Sequence, residues 1–177
     1  MNEYLFEKGY VVDAEKLKAD FMSQEEYALA HASLPIVCHD VAIVYHGSVL
    51  LVKRDTYPAK GEWFVIGGRV SRGVMMEGSL RRKAKAECGL DLVDIQLVGV
   101  GRTLFATDPF GHGKGTDTIN FLYVARGRGV LKLDMFHSQP LLLKEEEFSE
   151  DFKKELHPYV VELLEKAFAM MKKSKLD

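Results

Sequence analysis

Four side chains carry most of the chemistry that this sequence could perform. Arg54 and Arg69 each follow an apolar segment. A planar guanidinium can pair with two phosphate oxygens at once, so both are candidate phosphate ligands. Arginines at exposed strand ends have the same pattern, and both readings stay open. His137 is a candidate general base, because an unperturbed imidazole titrates near about 6.5. A solvated histidine in a turn is the plainer alternative. Glu87 stands four residues after Lys83, so the carboxylate and the ammonium share one helix face. They are either a surface ion pair of a few tenths of a kcal/mol or a fixed cation beside a functional carboxylate. Trp63 and Phe64 fit either stacking on a base or core packing. His39, between Cys38 and Asp40, reads as structural, and His112 lies in a glycine-rich loop.

The segments that must position these groups are legible from pattern. Residues 4–12 read as a short strand and 13–20 as a helix capped by Asp13. Ser23-Gln24-Glu25-Glu26 has the spacing of a capping box, flanked by Met22 and Tyr27, and its helix should stop before Pro35. Residues 36–45 and 48–53 are β-branched and apolar around His46-Gly47, which predicts a hairpin. Residues 57–62 form a loop, and 63–66 a short strand running into a tight loop at Gly67-Gly68. Met76, Leu80, Ala84 and Cys88 recur every four residues, which predicts a helix over 75–88 that Gly89 ends. Strands are expected at 97–106, 118–126, 130–134 and 141–143, with a glycine-rich loop over 108–116. A helical tail follows over 147–173, broken near His157-Pro158.

The stretch 67–90, GGRVSRGVMMEGSLRRKAKAECGL, resembles the Nudix box, G-x₅-E-x₇-R-E-U-x-E-E-x-G-U, with U a bulky apolar residue. The frame runs without a gap from Gly68 to Gly89-Leu90. Arg82 and Glu87 match, whereas Val74, Lys83 and Ala86 stand where the box has glutamate. In an intact box, carboxylates at 83, 86 and 87 would repel one another unless a divalent ion bridged them to substrate phosphates. Further pieces resemble the GDP-mannose mannosyl hydrolase branch: Lys53-Arg54, PAKGEWFV from Pro58, GGRV from Gly67, and Ala86-Glu87-Cys88-Gly89. Ser23 to Tyr27, Leu34-Pro35-Ile36-Val37, Asp40 and Gly115-Thr116-Asp117 fit as well. The similarity covers residues 22–127.

This resemblance implies a Nudix α/β/α sandwich with a mixed central sheet, in an α/β class chain. It implies water attack at the anomeric carbon of a GDP-mannose or GDP-glucose type nucleotide sugar, releasing GDP and inverted sugar. It assigns Arg54, Arg69 and Asp40 to substrate, and His137 and Arg54 to catalysis. Metal would be held by Glu87, the Gly67 carbonyl and a glutamine whose position is taken here by Phe136, with Gln139 three residues away. Gly68, Arg82 and Gly89 would be structural, Arg82 by clamping the loop before its helix. The expected cofactor is weakly bound, substrate-dependent magnesium. The rival is a catalytically inactive Nudix-fold protein that binds a nucleotide or a protein partner; Lys83, Ala86 and Phe136 favour it.

Composition sets the remaining bounds. The 177 residues suit a single domain over 1–177, with an N-terminal strand and helical extension at 1–33 and a C-terminal helix at 147–173. A net charge of -2, from 24 basic and 26 acidic side chains, offers nucleic acid no global attraction. No apolar run approaches the roughly 18 residues that span a bilayer, and the N-terminus lacks signal-peptide pattern. A cytoplasmic location and a small nucleotide or nucleotide-sugar ligand are therefore expected, with no membrane partner; a homodimer is left open. Cys38 and Cys88, both in apolar segments, are expected to be buried free thiols.

Overall fold

Alternating side chains on one long strand set up the whole architecture. The structure is a computed structural model and describes residues 1–4, 6–7, 10–11, 13–17 and 22–174. A two-stranded antiparallel unit, β1 (Phe6–Glu7) and β2 (Tyr10–Val11), precedes α1 (Ala14–Leu17). The single strand expected over 4–12 is thus two, and residues 5, 8, 9, 12 and 18–20 of these expectations lie outside the described residues. Helix α2 (Gln24–Ser33) starts on the expected capping box. Ser23 Oγ accepts from the Glu26 amide at 3.2 Å, and Glu26 accepts from the Ser23 amide at 2.8 Å.

The hairpin is β3 (Ile36–Tyr45) and β4 (Ser48–Arg54). After them come β5 (Trp63–Phe64), β6 (Ile66–Arg69), α3 (Met76–Cys88), β7 (Asp91–Phe105), β8 (Thr116–Arg128) and β9 (His137–Leu143). The chain ends in α4 (Glu150–Lys154) and α5 (Pro158–Ser174), broken as expected at His157-Pro158. The sheet order is β5-β4-β3-β8-β7, with β6 on β3 and β9 on β4. The β3–β8 pair is parallel and the others are antiparallel, so the sheet is mixed.

Successive side chains of a strand point to opposite faces. Val41 and Ile43 therefore pack with Leu80, Ala84 and Cys88 of α3, while Ala42 and Val44 pack with Val160, Leu163 and Leu164 of α5. This is the expected α/β/α sandwich. Met76 opens α3, and its amide donates to both carboxylate oxygens of Glu3, at 2.9 and 3.1 Å. A negative charge at that end suits the helix dipole. Gly89 closes α3 in the left-handed region, at φ 75°. Cys38 and Cys88 are buried free thiols, as expected, and burial pushes them up to about 12 and about 11.

Three further expectations about the fold need correction. Gly67-Gly68 is not a tight loop but part of β6, paired with Asp40 and His39 of β3. Residues 130–134 are not a strand. They cross the end of α3, where Lys132 and Asp134 donate their amides to the carbonyls of Cys88 and Glu87 at 3.0 and 2.9 Å. Those bonds satisfy orphan carbonyls of the last helical turn. Finally, His137 lies in β9 rather than in a turn, opposite Arg54.

Candidate active site

The end of β4 and the start of β9 bring the first two candidates together. A register shift near Leu51 and Lys53, beside Gln139 at φ 46°, resets the pairing so that His137 faces Arg54. A bulge of this kind re-aims side chains at sites. The two residues share a cleft of about 350 Å³ with Asp40, Gly67, Gly68, Arg69, Lys83 and Glu87. Every residue expected to touch substrate or metal lines this one cavity, and the expected structural residues Arg82 and Gly89 do not.

Arg54 is anchored without losing its fork. Its Nε donates to the Pro58 carbonyl at 2.8 Å, and its guanidinium lies over the Phe64 ring at 5.5 Å. Burial lowers its pKa, with Asp40 and Glu87 opposing that shift. Its Nη groups have no protein acceptor among the described residues. Arg69 stacks over Tyr27 at 4.0 Å, so the capped helix α2 positions it. Such cation–π stacking leaves the guanidinium edge free for an anion.

His137 is almost fully buried, and its Nδ1 lies 2.8 Å from Asp134 Oδ1. Asp134 also accepts from the Phe136 amide at 2.9 Å. A carboxylate on Nδ1 fixes the tautomer and leaves Nε2 without a protein partner. Sequence reasoning missed Asp134, because it lies in a segment expected to be a strand. The signal available was its spacing, three residues before the histidine. Phe136 is half-exposed at the rim and cannot hold a metal, and exposed Gln139 does not line the cleft.

Glu87 sits on the last turn of α3 and is 8% exposed. Its Oε1 pairs with Lys83 Nζ at 2.8 Å, and its Oε2 is buried with no partner. Ligand atoms of Glu87, Asp134 and His137 lie within 4.8 Å of one another. A buried carboxylate oxygen without a partner is costly, and the oxygens of two neighbouring carboxylates suit a divalent cation. The residues present therefore fit the metal that the box implies: Glu87 and Asp134 offer carboxylate oxygens close together, and Phe136 offers none.

Asp40 lies under this floor. Tyr159 from α5 donates to its Oδ2 at 2.5 Å, and Tyr159 stacks on Phe64 at 5.9 Å. A Cβ on Gly67 would collide with Asp40 Oδ1 and stand 2.6 Å from the His39 carbonyl, so glycine is required there. Burial pushes Asp40 up to about 6, against the Tyr159 hydrogen bond and the positive charges of Arg54 and Lys83. A carboxyl raised on folding binds its proton more tightly when folded, so stability should fall as pH rises from about 4 to about 6. Asp40→Asn keeps an acceptor for Tyr159 and removes the charge. Urea unfolding should show the variant gaining on the wild type across that window, by on the order of 2–3 kcal/mol, and a constant difference above it. A difference that does not change with pH would count against the buried charge.

The other candidates sort out plainly. His39 is fully buried, 2.8 Å from Ser79 Oγ, which also accepts from the Ser71 amide at 2.9 Å. It is structural, tying β3 to α3 and the preceding turn. Arg82 is exposed and makes no hydrogen bond or ion pair among the described residues; Arg81 instead donates to the Leu92 carbonyl. The clamp expected of Arg82 is therefore not made. Trp63 carries the Lys53 ammonium at 5.1 Å and does not line the cleft, whereas Phe64 does. The glycine-rich loop is held by Asp108, which accepts from the amides of Phe110, His112 and Gly113. His112 Nε2 meets His31 Nδ1 at 2.9 Å, and His31 reaches the cleft wall.

Residues 39–161 match the NUDIX domain, so the chain belongs to the NUDIX family. It is 32% identical over 145 residues to the low-salt glycan biosynthesis protein Agl8 of Haloferax volcanii, covering 80% of this chain and 87% of that one. Solved structures share the fold. A MutT NUDIX hydrolase from Burkholderia pseudomallei is 24% identical, with TM-score 0.60 over 75% of this chain and 98% of its own. The NUDIX domain of Shewanella oneidensis NrtR, solved with ADP ribose, is 16% identical, with TM-score 0.61 over 85% and 99%. No helix among the described residues is long and apolar enough to cross a membrane.

Proposed function

We propose that the protein hydrolyses a nucleotide sugar of the GDP-mannose or GDP-glucose type by water attack at the anomeric carbon. The observation that carries this reading is His137, held by Asp134 and lining the cleft opposite Arg54. His137 Nε2 takes the proton of the attacking water. The water oxygen bonds to the anomeric carbon from one side, and the bond from that carbon to the diphosphate oxygen breaks on the other. The diphosphate leaves with the electron pair and is received by Arg54 and Arg69, which stabilise charge that grows in the transition state. Glu87 and Asp134, with the Gly67 carbonyl, would hold one magnesium ion that supplies charge neutralisation at the diphosphate. Attack at carbon asks less of metal than attack at phosphorus, which suits a box with one remaining carboxylate on its helix face. The Agl8 protein's role in glycan biosynthesis and the ADP ribose held by the NrtR domain support a ligand joining sugar to diphosphate.

One observation favours a second reading. The Lys83–Glu87 pair already occupies a carboxylate oxygen, as it would in a protein that binds a nucleotide or a protein partner without turning anything over. A panel of nucleotide sugars with magnesium separates the two. Free sugar with nucleoside diphosphate is the expected product. Sugar phosphate would mean attack at phosphorus, and binding without product would establish the non-catalytic reading.

A further inference from the structure

Lys83 stands where the box has a metal-binding glutamate, and the structure puts its ammonium to a defined use. The side chain is 34% exposed and lines the cleft, with Nζ held by Glu87 Oε1 at 2.8 Å. Gly68 makes this position available. A Cβ there would stand 2.8 Å from Lys83 Cε and 3.2 Å from Nζ. An ammonium has three N–H donors, and the Glu87 bond uses one of them. Among the described residues no acceptor meets the other two. Lys83 lines the cleft beside Arg54 and Arg69, which have no carboxylate partner among the described residues. Two cations without a carboxylate partner, together with the two remaining donors of Lys83, select an anion with several oxygens. Glu87 is divided between two tasks, with Oε1 on the ammonium and the orphaned Oε2 beside Asp134 and His137.

We propose that Lys83 is a built-in substitute for a second divalent ion: its ammonium binds a phosphate oxygen of the ligand's diphosphate, so the protein captures nucleoside diphosphates without metal and takes at most one divalent ion. This rests on the nucleotide-sugar reading, whose leaving group is a diphosphate. The ammonium remains in place whether or not magnesium is bound. Metal therefore adds to ligand affinity and is not a condition of it.

The test is calorimetric titration of the full chain with ADP, GDP, UDP and CDP, in EDTA and again in magnesium. Wild type should bind at least one of them in EDTA. Lys83→Met should weaken that binding at least tenfold, while Lys83→Arg, which keeps a cation, should stay within threefold. Because Lys83→Met strands the Glu87 charge, Lys83→Met with Glu87→Gln provides a charge-neutral check and should show the same loss in EDTA. Unchanged affinity in Lys83→Met or in the double variant would overturn the proposal, as would binding by wild type in magnesium but not in EDTA. Both outcomes leave the nucleotide-sugar reading standing. No binding of any of the four, with or without magnesium, would sink that reading and this proposal together.

Discussion

Replacing His137 with alanine should lower turnover of the nucleotide sugar by roughly 10²–10⁴-fold, the usual contribution of a positioned general base. KM should change little, because His137 Nε2 acts on the water and not on the diphosphate. The imidazole is buried against Asp134, which leaves one ring nitrogen for proton transfer and restricts its orientation. Asp134→Asn separates two roles for that carboxylate. If Asp134 chiefly orients the ring, the variant should lose kcat and excess magnesium should not restore it. If it chiefly holds metal, raising magnesium should recover most of the rate. Melting temperature controls for folding, since the Asp134 side chain also accepts from the Phe136 amide. Full activity in His137→Ala would remove the histidine from the chemistry, leaving the products to decide between attack at carbon and at phosphorus.

The fold was largely legible because its periodicities are strong. The four-residue recurrence of Met76, Leu80, Ala84 and Cys88 specifies the buried face of α3, and each of these is at most 5% exposed. The Ser23–Glu26 box is local chemistry and formed as read. Errors arose where tertiary context outweighs local pattern. Gly67-Gly68 has loop composition, yet it pairs with β3, where a Cβ at position 67 would collide with Asp40 and the His39 carbonyl. Residues 130–134 have strand composition, yet their amides are taken by the open carbonyls at the end of α3. That second error hid Asp134. A strand would alternate its side chains, whereas the actual crossing lays the carboxylate against His137 and Glu87. His31 was missed for a similar reason, since its partner lies 81 residues away on the glycine-rich loop. The site's cations were easier to find than its geometry, because side-chain type is local and convergence is not.

Arg54 offers the second large effect, in binding. Two charge-assisted hydrogen bonds from one guanidinium are worth about 3 kcal/mol or more together, which corresponds to roughly 10²-fold in affinity. Arg54→Ala should therefore raise the Kd for nucleoside diphosphate by about that factor, and by more for the departing diphosphate in the transition state than for the intact nucleotide sugar. Arg54→Lys is not conservative here. It keeps the charge but loses the planar fork, the 5.5 Å stacking on Phe64 and the Nε bond to the Pro58 carbonyl. Its loss should fall between wild type and alanine, on the order of tenfold. The Pro58 bond gives Arg54 a structural task as well, because it braces the loop between β4 and β5. Thermal unfolding separates the two tasks. A large drop in Tm with unchanged diphosphate affinity would make Arg54 a loop brace and nothing more. A small drop in Tm with the expected loss of affinity would leave phosphate binding as its function, since the residue that faces it across the β4–β9 ladder is His137.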